Sequence, residues 1–347
     1  MDMRGWLIGA ALAVAAGGPA LAQGVAAQGG AKPAADNVSV WTLQGENDSV
    51  GAIGKRTIND KYYSNGIRVG WTSAPALVPD TLKGLAQTLW GAGETRMSID
   101  VTHQIYTPAS TRLRNPPVGD RPYAGVLMGH FGLVQDGTTP TGLDTRSTLV
   151  LGLGLVGPAA GGQGLQNGFH ELIGQREVLG WSTQLKNEPL LQVTSERTWR
   201  LPIASFGGIE TDALPSLTAS AGNLRVYLQT GAMLRLGQGL KADFGPAAPR
   251  PAVSGGDYFR NLRTLAWYVF LGADGRAVAR DLTLEGNTFA SSRSVKKVPF
   301  VGEIQGGLAV IFHGVRLSYT HRVTTQEFRR QRGGLQQVGS LALSVRF

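Results

Sequence analysis

The sequence contains five histidines, and one of them, His170, lies where chemistry is expected. Apolar residues recur at helical spacing between 164 and 177, which predicts a short helix that carries His170. Gln166 precedes His170 by four positions, so the two side chains share one face of that helix. Imidazole is the side chain best matched to proton transfer near neutral pH, so this pair is a candidate for acid–base chemistry.

Several common catalytic and cofactor motifs are missing from the sequence. It contains no Gly-x-Ser-x-Gly elbow, no Gly-x-x-x-x-Gly-Lys phosphate loop, no His-Glu-x-x-His pair and no EF-hand loop. It also contains no cysteine, which excludes disulfides, thiolate metal sites and a cysteine nucleophile. A hydrolase that relies on a serine elbow is therefore not supported.

The elements that must position these residues are β-strands. Apolar residues alternate with small or polar ones along most of the chain, and this period of two gives a strand one apolar face. The last segment is typical, with Leu341, Leu343, Val345 and Phe347 on one face. We place about twelve such strands at residues 38–46, 66–74, 95–106, 122–134, 146–156, 189–201, 204–219, 225–236, 262–274, 300–312, 314–324 and 337–347.

Three features favour a membrane barrel over a secreted sandwich, which would show the same alternation. Several segments reach the roughly ten residues that a tilted strand needs to cross a bilayer. The face opposite the apolar one is rich in Gly, Thr, Ser and Arg, as a polar lumen would be. The chain also stops at an aromatic residue, Phe347. The sequence thus predicts an all-β fold, a transmembrane antiparallel up-and-down barrel whose last strand pairs with the first.

The N-terminus predicts export from the cytoplasm. Arg4 precedes an apolar stretch over residues 6–16, and Ala20 and Ala22 suit a signal peptidase. We therefore expect a signal peptide over 1–22, a flexible leader over 23–36, and one barrel domain over 37–347, present as a monomer. Export argues against a nucleic-acid partner, although the formal charge of +9 suits an anionic one.

The topology of such a barrel collects the unusual polar residues at one rim. If the N-terminus is periplasmic, the connections after the first, third and fifth strands are extracellular. These connections carry Asn47-Asp48 with Ser64-Asn65, then Tyr106 through Tyr123, then Gly157 through Trp181. Asn, Asp, Gly and Pro are ordinary turn formers, but that explanation does not cover His170 or Gln166. A short helix in an extracellular loop is therefore expected beside the outer leaflet.

Several strings resemble those of the outer-membrane lipid A 3′-O-deacylases, the LpxR family. They are GENDSV (45–50), YYSNGIRVGW (62–71), IYTP (105–108), DRPYAG (120–125), GLVGPAAGGQGLQNGFHELIG (154–174) and GWSTQLKNEP (180–189). The resemblance extends from Asn37 to Phe347. It implies a twelve-stranded outer-membrane barrel whose calcium-dependent site releases the 3′ acyloxyacyl chain of lipid A.

The resemblance also implies roles for individual residues. His170 matches the catalytic histidine of the family, and Asp48 matches its calcium-binding aspartate. Asn47 matches the neighbouring asparagine of the site, Ser64 a Thr or Ser, and Gln166 the glutamine one turn before the histidine. These residue types suit ester hydrolysis, because His can activate water while a Ca²⁺ ion and an amide stabilise the oxyanion. Ser64 lacks a neighbouring base, so we interpret it as a supporting residue.

The chain departs from the family in two places. The lysine that follows the Tyr-x-Pro string in the family is absent here. Arg112 and Arg114 are the nearby cations that could contact a lipid A phosphate. We expect Tyr123 to be a further substrate contact. Glu177 is at best a shifted substitute for a family glutamate. Basic pairs at 296–297 and 329–330 could hold anionic headgroups or could be ordinary solvated charges.

Two alternatives to the deacylase remain open from the sequence. The chain could be a passive porin or structural barrel whose rim motif is architectural. It could also be a phospholipase that uses the same site on glycerophospholipids of the outer membrane.

Overall fold

The computed structural model describes residues 36–48, 61–246, 257–260 and 265–347. The predicted signal peptide and all but the last residue of the predicted leader lie outside the described residues, and both stay predictions. No helix in the described part of the chain is long and apolar enough to cross a membrane.

Strands make up most of the described chain. They are β1 Val40–Asn47, β2 Tyr62–Thr72, β3 Gly93–Thr107, β4 Ala124–Thr138, β5 Asp144–Val156, β6 Glu188–Trp199, β7 Leu201–Phe206, β8 Ile209–Gly222, β9 Arg225–Gln238, β10 Ala266–Asp281, β11 Phe300–Phe312, β12 Val315–Thr324 and β13 Gln336–Arg346. Three α-helices lie between them, α1 Asp80–Trp90, α2 Gly162–Leu172 and α3 Leu282–Glu285.

The strands form a closed antiparallel barrel. Neighbours in the chain pair from β1 to β6 and again from β7 to β13. β13 also pairs with β1, and β8 closes the cylinder by pairing with β6. β6 and β7 are two parts of one barrel strand, because both pair with β8 and only Arg200 separates them. The barrel therefore has twelve strand positions, which confirms the predicted fold. Closure gives each of the twelve strand positions a partner on both sides, as hydrocarbon requires, while the short extension β7 pairs with β8 alone.

Several predicted strand ends differ from the structure, since β2 begins at Tyr62 rather than at 66, β4 ends at Thr138 rather than at 134 and β10 ends at Asp281 rather than at 274. One predicted strand also contains a reversal of the chain. The sequence pattern placed a strand over 204–219, but the chain reverses at Gly207 and Gly208 in the middle of that range. Both glycines have positive φ, 58° and 84°, as a two-residue hairpin turn requires. Apolar alternation continues on both sides of the turn, so periodicity alone could not locate it.

Apolar side chains cover the outer surface of the barrel. On β1, Trp41 and Leu43 are half exposed while Thr42 and Gln44 are buried in the interior. The same alternation runs along β13, where Leu341 and Leu343 point outward. An exposed apolar band with a polar interior is the pattern of a barrel that faces lipid.

The described lumen is filled rather than open. Arg316 on β12 binds Asp243 at 3.1 Å and Asp257 at 3.3 Å, and all three side chains are buried. Asp257 belongs to a short segment, 257–260, that lies inside the barrel. From β5, Arg146 donates to the carbonyl oxygen of Tyr258 at 3.1 Å, and from β3, Arg96 stacks on the Tyr258 ring. Paired charges and aromatic rings thus occupy the space that a porin would keep for water.

The two ends of the barrel differ. We call the end at which β1, β3 and β5 finish the upper rim; the opposite end, which holds Phe347, is the lower rim. An ion pair joins the loops of the upper rim, with Arg121 Nη1 2.6 Å from Glu327 Oε2. The same guanidinium donates to Thr283 Oγ1 at 2.8 Å, so it holds three loops together. This bond explains the Arg of the DRPYAG string as a structural residue.

The Glu327–Arg121 pair predicts a loss of stability in acid. Burial alone would raise the pKa of the Glu327 carboxyl group from 4.5, but three guanidinium groups outweigh it and lower the pKa to about 2. These groups belong to Arg121, Arg276 and Arg225. Because the pKa is depressed in the folded state, the stabilisation is complete above pH 4.5 and is lost as the pH falls from 4.5 towards about 2.

Thermal unfolding of the barrel in detergent measures this effect. We expect the melting temperature to fall by several degrees across that window. The variant Glu327→Gln should melt lower at neutral pH and lose part of the acid dependence. An unchanged pH profile in the variant would contradict the assignment.

Candidate active site

Helix α2 lies on the outside of the barrel wall at the upper rim. The turn before it contains Gly157 and Gly161, both at positive φ, which redirect the chain after β5. Gly162 then packs against Gly125 of β4 so closely that a Cβ on Gly162 would lie 2.9 Å from the Gly125 Cα. His103, on the outer face of β3, bonds the Ala160 carbonyl oxygen at 2.8 Å. These contacts fix the start of α2 against the wall.

The end of α2 fixes the orientation of His170. Gly174 has φ +68°, and the amides of Gln175 and Gly174 bond the carbonyls of His170 and Glu171 at 2.7 and 3.1 Å. This pair of bonds is a Schellman motif, which reverses the chain after the helix. The reversal brings the Arg176 carbonyl oxygen to 2.8 Å from His170 Nδ1. A carbonyl oxygen only accepts, so Nδ1 carries a hydrogen, and in the neutral imidazole Nε2 is then the basic nitrogen.

Gln166 lies one turn before His170 and is held by a tryptophan. Trp181 Nε1 donates to Gln166 Oε1 at 3.0 Å, and both side chains are buried. The Trp181 ring packs against Tyr123, with centroids 5.0 Å apart, and the Tyr123 hydroxyl donates to the Leu179 carbonyl at 2.6 Å. The amide oxygen of Gln166 is thus an acceptor for Trp181, while its NH₂ group is by its chemistry a donor.

A β-bulge shapes the second half of the site. The pairing of β2 with β3 shifts between Tyr63 and Asn65, so Ser64 is the extra residue. The Ser64 carbonyl oxygen accepts hydrogen bonds from Asn47 Nδ2 at 3.1 Å and from the Asp48 amide at 3.4 Å. The Asp48 carboxylate accepts from the Lys61 amide at 2.6 Å. The bulge therefore positions both residues at the end of β1.

The two halves meet in one cavity of about 480 Å³ between α2 and the barrel wall. Its volume falls within the roughly 300–1,000 Å³ typical of sites for small molecules. His170, Gln166 and Asn47 line it, together with Asn65, Glu46 and a set of mainly apolar residues. Those others are Gly45, Gly66, Ile67, Ile105, Leu165, Phe169, Ile173 and Leu341. The cavity thus joins polar groups at the rim to an apolar surface that faces lipid.

The remaining predicted residues do not line this cavity, and the buried Asp48, which follows Asn47 in the chain, is one of them. Ser64 is fully buried, and its hydroxyl bonds Thr107 Oγ1 at 2.7 Å. Its contribution to the site is the carbonyl oxygen that accepts from Asn47 and Asp48. Tyr123 is buried beneath the loop that follows α2. Arg112 and Arg114 are exposed in the loop between β3 and β4. The Glu177 carboxylate is exposed and lies 3.4 Å from Asn167 Nδ2.

The sequence interpretation missed Asn65 as a site residue. It reads as a turn former before Gly66, yet in the structure it pairs directly with Asn47 across β1 and β2. Both asparagines occupy positions that face outward, where the neighbouring residues are apolar. A signal was present in the pattern, because an amide on the lipid side of a strand is costly unless it has a partner or a function.

The oxygen donors near the cavity suit a hard cation. Within the described ranges no group of three or more His, Cys, Asp or Glu residues could hold a metal ion. Asp48 supplies a carboxylate, and Asn47 and the backbone supply neutral oxygens. Calcium accepts such mixed sets of carboxylate, carbonyl and water oxygens, so these residues fit Ca²⁺ better than a metal that needs nitrogen or sulfur ligands.

Comparison with known proteins decides the family. The sequence matches the profile of the family described as outer membrane protein LpxR over residues 7–347. The chain belongs to this family. Family membership confirms the predicted outer-membrane location and the prediction that the chain is a lipid A deacylase.

The LpxR fold is also seen among solved structures. LpxR from Salmonella typhimurium is similar with a TM-score of 0.71 and 22% identity, over 89% of this chain and 100% of that chain. The β domain of the Bordetella autotransporter BrkA has a TM-score of 0.45 and 12% identity, over 90% and 99% of the two chains. The comparison with curated proteins gives no significant match.

The Schellman motif predicts an effect on activity from a residue outside the cavity. Replacing Gly174 by Ala places a side chain in the left-handed region, which costs roughly 1–2 kcal/mol and loosens the turn that holds Arg176 on His170. We expect a several-fold loss of deacylase activity from Gly174→Ala. Asn adopts the left-handed conformation more readily, so Gly174→Asn should retain more activity. Equal activities of the two variants, measured in detergent micelles, would contradict this role.

Proposed function

We propose that this LpxR-family chain hydrolyses the ester of the 3′-linked acyloxyacyl chain of lipid A, with His170 as general base and with Ca²⁺ bound at Asp48. The observation that carries the proposal is the shared cavity, which His170 from α2 and Asn47 from β1 both line on the lipid side of the wall. A water-soluble substrate would not need a site that opens onto lipid.

His170 moves the proton in this reaction. Its Nδ1–H is donated to the Arg176 carbonyl, so Nε2 can take a proton from a water molecule as that water attacks the ester carbonyl carbon. When the tetrahedral intermediate collapses, the same nitrogen returns the proton to the departing sugar oxygen. The products are a free acyloxyacyl fatty acid and a lipid A alcohol, and no acyl-enzyme is needed.

Amide groups stabilise the oxyanion that forms during attack. Asn47 and Gln166 both line the cavity and each has an NH₂ group that can donate. Removing one such donor typically lowers the rate by about a hundredfold to a thousandfold. Ca²⁺, held by the Asp48 carboxylate together with neutral oxygens, would supply additional positive charge for the developing oxyanion.

Basic loops at the upper rim support an anionic lipid as substrate. Lys297 pairs with Phe328, and the Arg329 amide bonds the Lys296 carbonyl at 2.9 Å, so the two basic loops lie side by side. Lys296, Arg329 and Arg330 are exposed there. Such clustered cations attract phosphates, and lipid A carries phosphates close to its acylated sugars.

The filled lumen gives no support to a passive porin. The phospholipase alternative shares the site and differs only in substrate, so the same experiment separates it from the deacylase. Mass spectrometry of lipid A and of phospholipids from membranes that contain the protein would show which lipid loses an acyl group. Loss from phospholipids alone would reject the proposal.

The role of His170 predicts a large loss of activity on substitution. We expect His170→Ala to lower lipid A deacylation by at least about a thousandfold, since both proton transfers lose their carrier. His313 lies at the lower rim with φ +48°, and His313→Asn is a matched control that should keep full activity. Deacylation by His170→Ala at the normal rate would contradict the mechanism but leave the activity established.

The role of Asp48 predicts a dependence on calcium. Chelation should abolish deacylation, and added Ca²⁺ should restore it in the unsubstituted chain. Asp48→Ala should remain inactive at the Ca²⁺ concentration that restores the unsubstituted chain. Full activity in the presence of a chelator would reject the metal requirement.

A further inference from the structure

Gly45 interrupts the apolar surface of the barrel wall inside the cavity. It lies on β1 two residues from Asn47, and its α-carbon faces outward into space where a Cβ would meet nothing within 4 Å. The next outward residues along β1, Leu43 and Trp41, are large and about half exposed. The wall therefore has a gap directly beneath the catalytic asparagine.

Large side chains flank this gap on both sides. Gly45 pairs with Leu341 on β13 and with Ile67 on β2, so these three residues form one row across the wall. Side chains directly opposite in such a row are about 5 Å apart, so the missing one leaves a trough between Leu341 and Ile67. Leu165, Phe169 and Ile173 of α2 line the same cavity from the other side. The result is an apolar groove that begins at the polar site.

Glycine at this position has a cost that needs an explanation. Gly weakens a strand, and a larger apolar residue would be favourable on a lipid-facing surface. No turn or positive φ requires glycine here, because Gly45 pairs in regular register with both neighbouring strands. A glycine inside a strand often marks the close approach of a ligand.

We propose that Gly45 forms the floor of a groove for the alkyl part of the acyl group that is released, and that it determines which chain lengths the enzyme accepts. The inference rests on the proposed deacylase function and adds the determinant of its selectivity. A saturated chain fits because the groove is apolar and continuous with the cavity that holds His170 and Asn47. A side chain at residue 45 would occupy the space of several methylene groups.

The test compares lipid A molecules that differ only in the length of the ester-linked 3′ chain. Each methylene displaced from apolar contact weakens binding by about fourfold. We expect Gly45→Val to lower kcat/KM for long-chain lipid A by about tenfold or more, while short-chain lipid A changes by about twofold or less. Leu341→Ala, which widens the groove, should shift the preference towards longer chains.

Gly275 provides a matched control. It faces outward on β10, four strand positions from β1, and a Cβ there would also meet nothing within 4 Å. Gly275→Val should leave the ratio of long-chain to short-chain kcat/KM unchanged. Heat-modifiable mobility on a gel reports whether each variant has folded, and Leu341→Ala carries the test if Gly45→Val does not fold.

Three outcomes would overturn the inference. If Gly45→Val lowered kcat/KM by the same factor for every chain length, the variant would have a general defect. If Gly275→Val changed the ratio of long-chain to short-chain kcat/KM as much as Gly45→Val does, the effect would not be specific to the groove. An unchanged ratio in Leu341→Ala would show that the groove does not contact the chain. Absence of lipid A cleavage by the unsubstituted chain would instead reject the proposed function itself, and the inference with it.

Discussion

A backbone amide in hydrocarbon has no water to bond, and this constraint governs the architecture of the molecule. Every strand must have a partner on both sides, so β13 pairs with β1 and β8 pairs with β6. Closure separates the side chains into an outward apolar set and an inward polar set. A polar site that must meet a lipid cannot lie in the middle of the outer wall, so it lies at the rim, where strands end and loops begin.

Backbone carbonyls orient two residues of the candidate site. The Arg176 carbonyl fixes the tautomer of His170, and the Ser64 carbonyl orients Asn47. Both carbonyls are presented by local irregularities, a Schellman turn and a β-bulge. Neither of these two hydrogen bonds involves a carboxylate.

Much of the fold could be predicted from the sequence because strand periodicity is a local property. Alternation located the barrel strands and helical spacing located α2, but the turn at Gly207-Gly208 lies within a continuous alternating pattern and was missed. Of the site, the His170–Gln166 pair follows from helical spacing, whereas Asp48 and Asn47 depended on resemblance to a family. Asn65 and the bulge at Ser64 depend on the register between strands far apart in sequence, which no local pattern specifies.

The position of the cavity on the outer wall has a consequence for kinetics. Substrate arrives by lateral diffusion within one leaflet, and the released fatty acid can return to that leaflet without crossing an aqueous phase. The encounter rate then follows the mole fraction of lipid A among the surrounding lipids, rather than a concentration in solution. The composition of the leaflet around the barrel is therefore a direct determinant of turnover.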